Sequence, residues 1–329
     1  MADLGRELTL EAVRITEPAA IAAAEKVGAG DSDGADQAAV DAMRRVLNQV
    51  QIVGTVVIGE GEKDEAPMLY IGEQVGTGCG PAVDIAVDPL EGTTIVAEGR
   101  QNALCVLAIG ERGGFLNAPD VYMMKMAVGP RAAGAIDLRK SVSANCKAVA
   151  KALGKPMQYL TVVVLDRPRH QKIIAELRSL AVRIKLISDG DVSAALSTAV
   201  PDTGVDMLIG IGGSTEGVLA AAAMRCLGGQ IQGRLQPIGA DQVKRIKAMK
   251  IADPDRIYNT ADLAAGDDVI FSATGVTDGD FLKGVRYGEH WIYTHSMVLR
   301  AKTGTVRFVQ AQHRYEKARV NDRDAGRTA

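Results

Sequence analysis

Cysteine and histidine are scarce in this chain, four of each among 329 residues, and neither is grouped. Cys79, Cys105, Cys146 and Cys226 form no CxxC pair. That excludes a cysteine zinc site and a disulfide framework, and it reads as reduced thiols in a cytoplasmic protein. The histidines show no metal spacing, so any metal must be bound by oxygen ligands. An excess of one charge is missing too. Lys and Arg number 38 against 40 Asp and Glu, a net charge of −2, so no nucleic-acid or membrane-surface partner is expected. No apolar run is long enough to span a bilayer, and Asp3, Arg6, Glu7 and Glu11 are wrong for a signal peptide. The length suits one large or two ordinary domains with real cores.

What is present is concentrated in VDIAVDPLEGTT, residues 83–94. Val83, Ile85, Ala86 and Val87 read as a buried strand. Pro89 fixes its own φ and lacks an N–H, so the strand is expected to turn at Asp88-Pro89. Glu91-Gly92-Thr93-Thr94 then opens a helix. Two carboxylates and a hydroxyl beside a helix N-terminus suit a hard divalent cation and a phosphate. The plainer reading is turn chemistry with Thr93 as an N-cap. By alternation Asp84 faces the same side as Ala86 and Asp88.

Around this stretch the first half reads as α+β. Residues 3–28 are helical, with a kink or break expected at Thr16-Glu17-Pro18. Residues 28–34 form a loop. Asp36 opens a second helix and could be its simple N-cap, with Ala39, Met43, Val46, Leu47 and Val50 inward. A strand over 51–58 ends in the acidic run GEGEKDE, and further strands span 103–109 and 122–128. From Leu160 the pattern changes. Short buried strands end at Leu165, Ile187 and Ile209 at an even interval, each followed by a loop and a helix. That is the pattern of right-handed βαβ units on a parallel sheet, which bind ligands at the strands' carboxyl ends. The loops there are 166–170, 188–191 and the glycine-rich 210–217. Strands are expected again at 268–274, 290–300 and 305–310. The division expected is a metal-binding α+β domain over 1–157, an α/β domain over 158–315 and a flexible tail over 316–329.

Glu60, Asp64, Asp88 and Glu91 stand at two turns on neighbouring strand ends, and Glu216 stands at a third. Two like charges about 4 Å apart repel by ~4 kcal/mol at an effective dielectric near 20. A converging cluster therefore calls for divalent cations, and oxygen-only ligation points to Mg²⁺ or Mn²⁺. The motifs GEGEKDEAPMLYIGE, DIAVDPLEGTT, NAPDVYM, LDRPRH, LISDGDV and GIGGSTEG together make the chain resemble the class II fructose-1,6-bisphosphatases, from about Leu8 to His313. DPxEGT alone would indicate only the wider lithium-sensitive sugar and inositol phosphatase superfamily.

The resemblance implies an α/β protein of layered αβαβα form, acting in gluconeogenesis or the Calvin cycle on a small sugar bisphosphate. It implies Asp36 and Glu60 on one metal, and Asp88, Glu91 and Glu216 on a second. Glu91, Gly92 and Thr93 would hold the scissile 1-phosphate. Tyr122, Arg167, Pro168, Arg169, Asp189, Gly190, Asp191 and Gly213 would line the sugar and its second phosphate. A homo-oligomer, dimer or tetramer, is expected. Thr93 would relay the proton of the attacking water to Asp64, with no phosphoenzyme, and the dipole of the helix beginning at Gly92 would act on the phosphate. Phrases such as DRPRH and SDGDVSAA look like the branch found in photosynthetic bacteria, which adds sedoheptulose 1,7-bisphosphate to the expected substrates. One position departs from the family. Its GDKxxAD loop is GDSDGAD here, with Ser32 in place of lysine and Asp33 beside it. Three rivals stand beside this reading. An inositol or other sugar monophosphatase would share DPLEGTT without needing the arginines. A nucleotide-binding module would use GIGGSTEG as a phosphate loop, although no Gly-Lys-Ser/Thr follows. A catalytically dead homologue is raised only by Ser32.

Overall fold

In the computed structural model, which describes residues 4–61, 68–248, 253 and 255–315, the chain opens with α1 (Leu8–Ala24) and α2 (Ser32–Leu47). Helix α1 runs unbroken through Pro18, against the expected break. Tertiary pins explain this. Thr16 Oγ1 meets Ser272 Oγ and Thr274 Oγ1 at 3.1 and 2.8 Å, and Thr294 Oγ1 donates to Glu17 at 3.0 Å. Packing of this kind overrides local propensity. The N-cap of α2 is Asp31, whose side chain accepts from Gly34 N–H at 2.9 Å. Asp36 lies one turn inside the helix and is not its cap.

Strands β1 (Val53–Ile58), β2 (Gln74–Val75) and β3 (Ala82–Glu91) follow, then α3 (Thr93–Ala97), β4 (Leu104–Glu111) and β5 (Tyr122–Val128). The next elements are α4 (Val142–Leu153), β6 (Thr161–Leu165), α5 (Gln171–Ser179), β7 (Arg183–Ile187) and α6 (Asp191–Ser197). They lead to β8 (Met207–Gly213), α7 (Ser214–Leu227), β9 (Gln230–Leu235), α8 (Ala240–Ala248), β10 (Ile257–Asn259) and α9 (Thr260–Leu263). The last are β11 (Ile270–Gly275), β12 (Arg286–Tyr287), β13 (Trp291–Arg300) and β14 (Thr305–Arg314). The expected tail over 316–329 lies outside the described residues.

Among the described residues these strands form two mixed sheets, of eight and six strands. In the first, β1 and β3 are parallel, and β4, β11 and β13 continue the sheet antiparallel. In the second, β7, β6 and β8 form the expected parallel set, and β5 then pairs antiparallel to β8. Sheet membership crosses the 157/158 boundary in both directions. Strand β5 belongs to the second sheet, and β11 to β14 complete the first.

The cores give the layers. Val83, Ile85 and Val87 pack on α1 and α2, whereas Ala86 faces α6 and α7. Those two helices fill the space between the sheets, and α4 and α5 cover the far face of the second. The order is αβαβα, produced by period-two strands that are apolar on both faces.

Candidate active site

Strand β3 does not stop at Asp88-Pro89. It continues to Glu91, and the extra residue is absorbed by a bulge: Asp88 pairs with Val106 and Glu91 with Leu104. Proline is tolerated at such a bulge because no ladder hydrogen bond is asked of it. A second irregularity falls between Val56 and Ile58 of β1, two residues before Glu60. Two adjacent parallel strands are thus re-aimed just where their acidic residues begin. Gly92 follows in the left-handed region at φ 93° and caps α3. Only glycine enters that region without strain. Thr93 is therefore the first helical residue rather than the cap. Helix α3 has five residues, too few for the macrodipole expected of it. The N–H groups of Thr93, Thr94 and Ile95 precede its first internal bond, from Val96 N–H to Gly92 O at 3.1 Å.

The carboxylates of Glu60, Asp88 and Glu216 line one cleft of about 200 Å³ with Asp120 and Thr215. Asp36 reaches it from α2, close enough to share a side-chain hydrogen bond with Glu60. Burial, then the charge of Asp36, pushes Glu60 up to about 8. Burial raises Asp36 too, and Asp33 beside it adds to the rise. Asp88 is pushed well above the ordinary carboxyl range by burial and then by Glu91, Glu60, Glu216 and Asp36, all of them acidic. Glu91 is 4 % exposed. Its carboxylate accepts from Val192 N–H and from Ser193 N–H (3.0 Å), in the first turn of α6. Burial still lifts it to about 8.

Among the described residues no three of these side chains stand together as a ready-made metal cage. The donor set nonetheless fits a hard divalent cation. It is oxygen-only, and the rise that burial and mutual repulsion impose on Glu60, Asp36 and Asp88 is what a bound cation would offset. Asp64 lies outside the described residues. Asp84, on the same face of β3, serves another end of the sheet, accepting from Gly113 N–H at 2.6 Å.

The second half of the site gathers at the carboxyl ends of β6, β7 and β8. Tyr122 is paired with Gly213 across β5 and β8, and the Arg169 guanidinium lies 4.7 Å over the Tyr122 ring. Arg169 Nε also donates to Ile211 O at 2.9 Å. Next to it, His170 is fully buried, with Nδ1 at 2.8 Å from Leu165 O and Nε2 accepting Ile211 N–H at 2.7 Å. Arg167, at the start of the short turn carrying Pro168, is close enough to Asp189 to draw its pKa down, against a rise caused by burial. Gly190 caps α6 at φ 96°, in the same left-handed region as Gly92.

The glycines of 210–217 are not a phosphate loop. Gly210, Gly212 and Gly213 lie in β8, and α7 starts at Ser214. A Cβ on Gly212 would fall 1.6 Å from Asp191 Oδ2, and one on Gly213 would fall 1.9 Å from Glu216 Oε2. These glycines make room for carboxylates. The sequence reading missed Lys125. It is 2 % exposed, and its Nζ lies 2.6 Å from Asp191 Oδ2 and 2.7 Å from Gly213 O. That contact ties β5 to the first residue of α6 and to the turn carrying Glu216. Its signal was present: a single lysine inside the apolar run YMMKMAV, which can be buried only if paired.

The sequence profile of the family described as "Bacterial fructose-1,6-bisphosphatase, glpX-encoded" matches residues 6–313. The chain is 50% identical over 321 residues to "Fructose-1,6-bisphosphatase 1 class 2" of Escherichia coli (strain K12), covering 94% of this chain and 95% of that protein. Proteins from Escherichia coli O6:H1 and Shigella flexneri, both named "Fructose-1,6-bisphosphatase class 2", match with the same identity and coverage.

Proposed function

Because the chain belongs to the bacterial fructose-1,6-bisphosphatase family, we propose that it hydrolyses the 1-phosphate of fructose 1,6-bisphosphate to fructose 6-phosphate and phosphate. The observation that carries this reading is the acidic cleft at the β3 bulge, followed at once by the left-handed Gly92 and the N–H groups of Thr93, Thr94 and Ile95. Excess negative charge and N–H groups that precede the first internal helix bond, at adjacent residues, suit a cation and a phosphoryl group side by side.

Asp36 and Glu60 would hold one divalent cation, and Asp88, Glu91 and Glu216 a second, with Mg²⁺ or Mn²⁺ the metals that suit such ligands. When bound, the cations neutralise the phosphoryl oxygens and ease ionisation of the attacking water. The chain's own groups do the rest. Backbone N–H groups at the start of α3 donate to the phosphoryl oxygens. Thr93 Oγ1 takes the proton from the water as it attacks phosphorus in line and passes its own proton to the Asp64 carboxylate. The bond from phosphorus to the C1 oxygen breaks on the opposite side, and that oxygen takes a proton from solvent. Arg167 and Arg169 grip the remote phosphate with their guanidinium forks. Tyr122 and Asp189 border the sugar between them. Asp191, already engaged by Lys125, holds α6 in place.

One assay tests this. Phosphate release is measured from fructose 1,6-bisphosphate, sedoheptulose 1,7-bisphosphate and inositol 1-phosphate, with Mg²⁺ or Mn²⁺ and after EDTA. Hydrolysis of the bisphosphates that stops on chelation is expected. Full turnover in EDTA would remove the cations from the scheme, and a preference for inositol 1-phosphate would reassign the substrate. The two bisphosphates compared side by side fix the sugar.

A further inference from the structure

The first sheet carries a second pocket, opposite in character to the acidic cleft. Along one face of β13, Met297 and Leu299 are sealed in the core between the sheets, whereas His295, Tyr293 and Trp291 run out from under that cover and are partly exposed. Strand β12 flanks this end on one side, with Arg286 opposite Tyr293, and β14 flanks it on the other, with Gln310 opposite His295. A cavity of about 170 Å³ results, bordered by Lys283, Arg286, Tyr293, His295, Gln310 and Gln312. Among the described residues no carboxylate lines it.

Its two charged side chains are both cationic donors, and its other polar side chains each have a donor to offer. Lys283 N–H donates to His295 Nδ1 at 3.0 Å, which leaves Nε2 to carry the proton of the neutral ring. The Arg286 guanidinium stands over the Tyr293 ring, 5.9 Å from its centre, a contact that restrains its fork. The ammonium of Lys283 and the two glutamine amides complete the set. The charges of Lys283 and Arg286 both reach His295, since after burial they are what lowers its pKa. Cations crowded around a concave surface without a lining carboxylate create a local positive potential that an anion relieves.

Size narrows the class of anion. The cavity is well below the ~300–1,000 Å³ of sites for drug-sized ligands. A nucleotide would overfill it, and a single tetrahedral oxyanion has the right charge and acceptor count. We propose that this pocket is a second anion site, separate from the acidic cleft, that takes free phosphate or the phosphoryl group of a small phosphate monoester.

The test is equilibrium dialysis of the full chain against labelled inorganic phosphate, in EDTA and at constant ionic strength set with chloride. The wild type is expected to bind phosphate saturably at this pocket, seen as one site beyond any that the catalytic cleft holds and retained in an Arg167→Ala/Arg169→Ala background. The double variant Lys283→Ala/Arg286→Ala is expected to bind it about tenfold or more weakly, the loss that follows from removing charge-assisted bonds. Its kcat and KM for fructose 1,6-bisphosphate in phosphate-free buffer should match the wild type. Arg286→Lys, which keeps the charge, should retain most of the affinity. Methylphosphonate distinguishes the sources: displacement of label admits a monoester phosphoryl group, and failure to displace confines the site to free phosphate. Three results would overturn the proposal. They are no saturable binding to the wild type, equal binding to the double variant, and a double variant whose hydrolysis falls in step with its phosphate affinity, which would make the pocket part of the catalytic site.

Discussion

Thr93 sits directly after a left-handed glycine as the first residue of α3 rather than its cap, so capping does not explain its hydroxyl. Thr93→Ala should keep substrate and metal binding but lose roughly 10²–10⁴ in kcat. A near-normal kcat in steady-state assays would leave the residue a purely local part in α3. Ser32 is the departure from the family, and its surroundings now have content. Asp33 reaches Asp36 electrostatically, and Lys26 lies 3.7 Å from Asp31 in the same loop. A lysine at 32 would weaken the local negative potential. Ser32→Lys should therefore lower KM for the bisphosphate and raise the metal concentration needed for half-maximal rate, each on the order of 1 kcal/mol. Substrate and metal titrations read both, and no change in either would place the loop away from the site. Asp88, Glu91, Glu60 and Glu216 were legible as candidates because each falls in a dense motif within or just past an apolar run. Asp36 was read as a possible cap because it precedes helical residues, and only the geometry shows that Asp31, read as loop, is the side chain that meets an N–H. Lys125 was overlooked because one cation in an apolar run carries no motif.

At the scale of elements, the second sheet and the two helix starts it feeds are held by polar contacts that can be cut singly. Lys125→Met would leave Asp191 buried without its partner, a loss of about 3–5 kcal/mol for a broken buried pair. Denaturant unfolding should show that loss, and Lys125→Arg should recover part of it along with activity. His170 ties the turn after β6 to β8 as a neutral ring, since Nε2 accepts Ile211 N–H. Burial holds its folded pKa below the ordinary value of 6.5. Between that lowered pKa and 6.5 the unfolded chain binds more protons than the folded one. The contribution is therefore complete above 6.5 and declines as the pH falls through the folded pKa. Melting temperature should drop with acidification in that window, and His170→Asn should flatten the part of the slope due to this ring. Strands with unbroken apolar runs were readable to within a few residues. The continuation of β3 past Pro89 was not, because a bulge is a property of the paired strand, β4, as much as of the proline. The brief strands β2 and β12 have too little pattern to read.

For the molecule as a whole, an α+β half followed by a βαβ half was readable from the strand and helix patterns. The αβαβα layering came only with the family resemblance, and the assignment of strands to sheets was not readable. Adjacent βαβ units suggest neighbours in space, and nothing local in residues 122–128 or 270–314 announces that they exchange partners across the chain. That exchange has a consequence in time. During synthesis α1 emerges first, and the strands it rests on, β11 and β13, emerge almost last. Leu4 N–H and the Gly5 carbonyl are themselves held by Asp268 and Arg300. The sheet bearing Asp88 and Glu60 therefore cannot close while the ribosome is still making the second sheet, and its open edge at β4 must be sheltered until then. A chain ended after residue 265 should be recovered mostly as aggregate, while the full chain is soluble under the same expression. Equal soluble yield of the two would mean that the first sheet settles without its final strands.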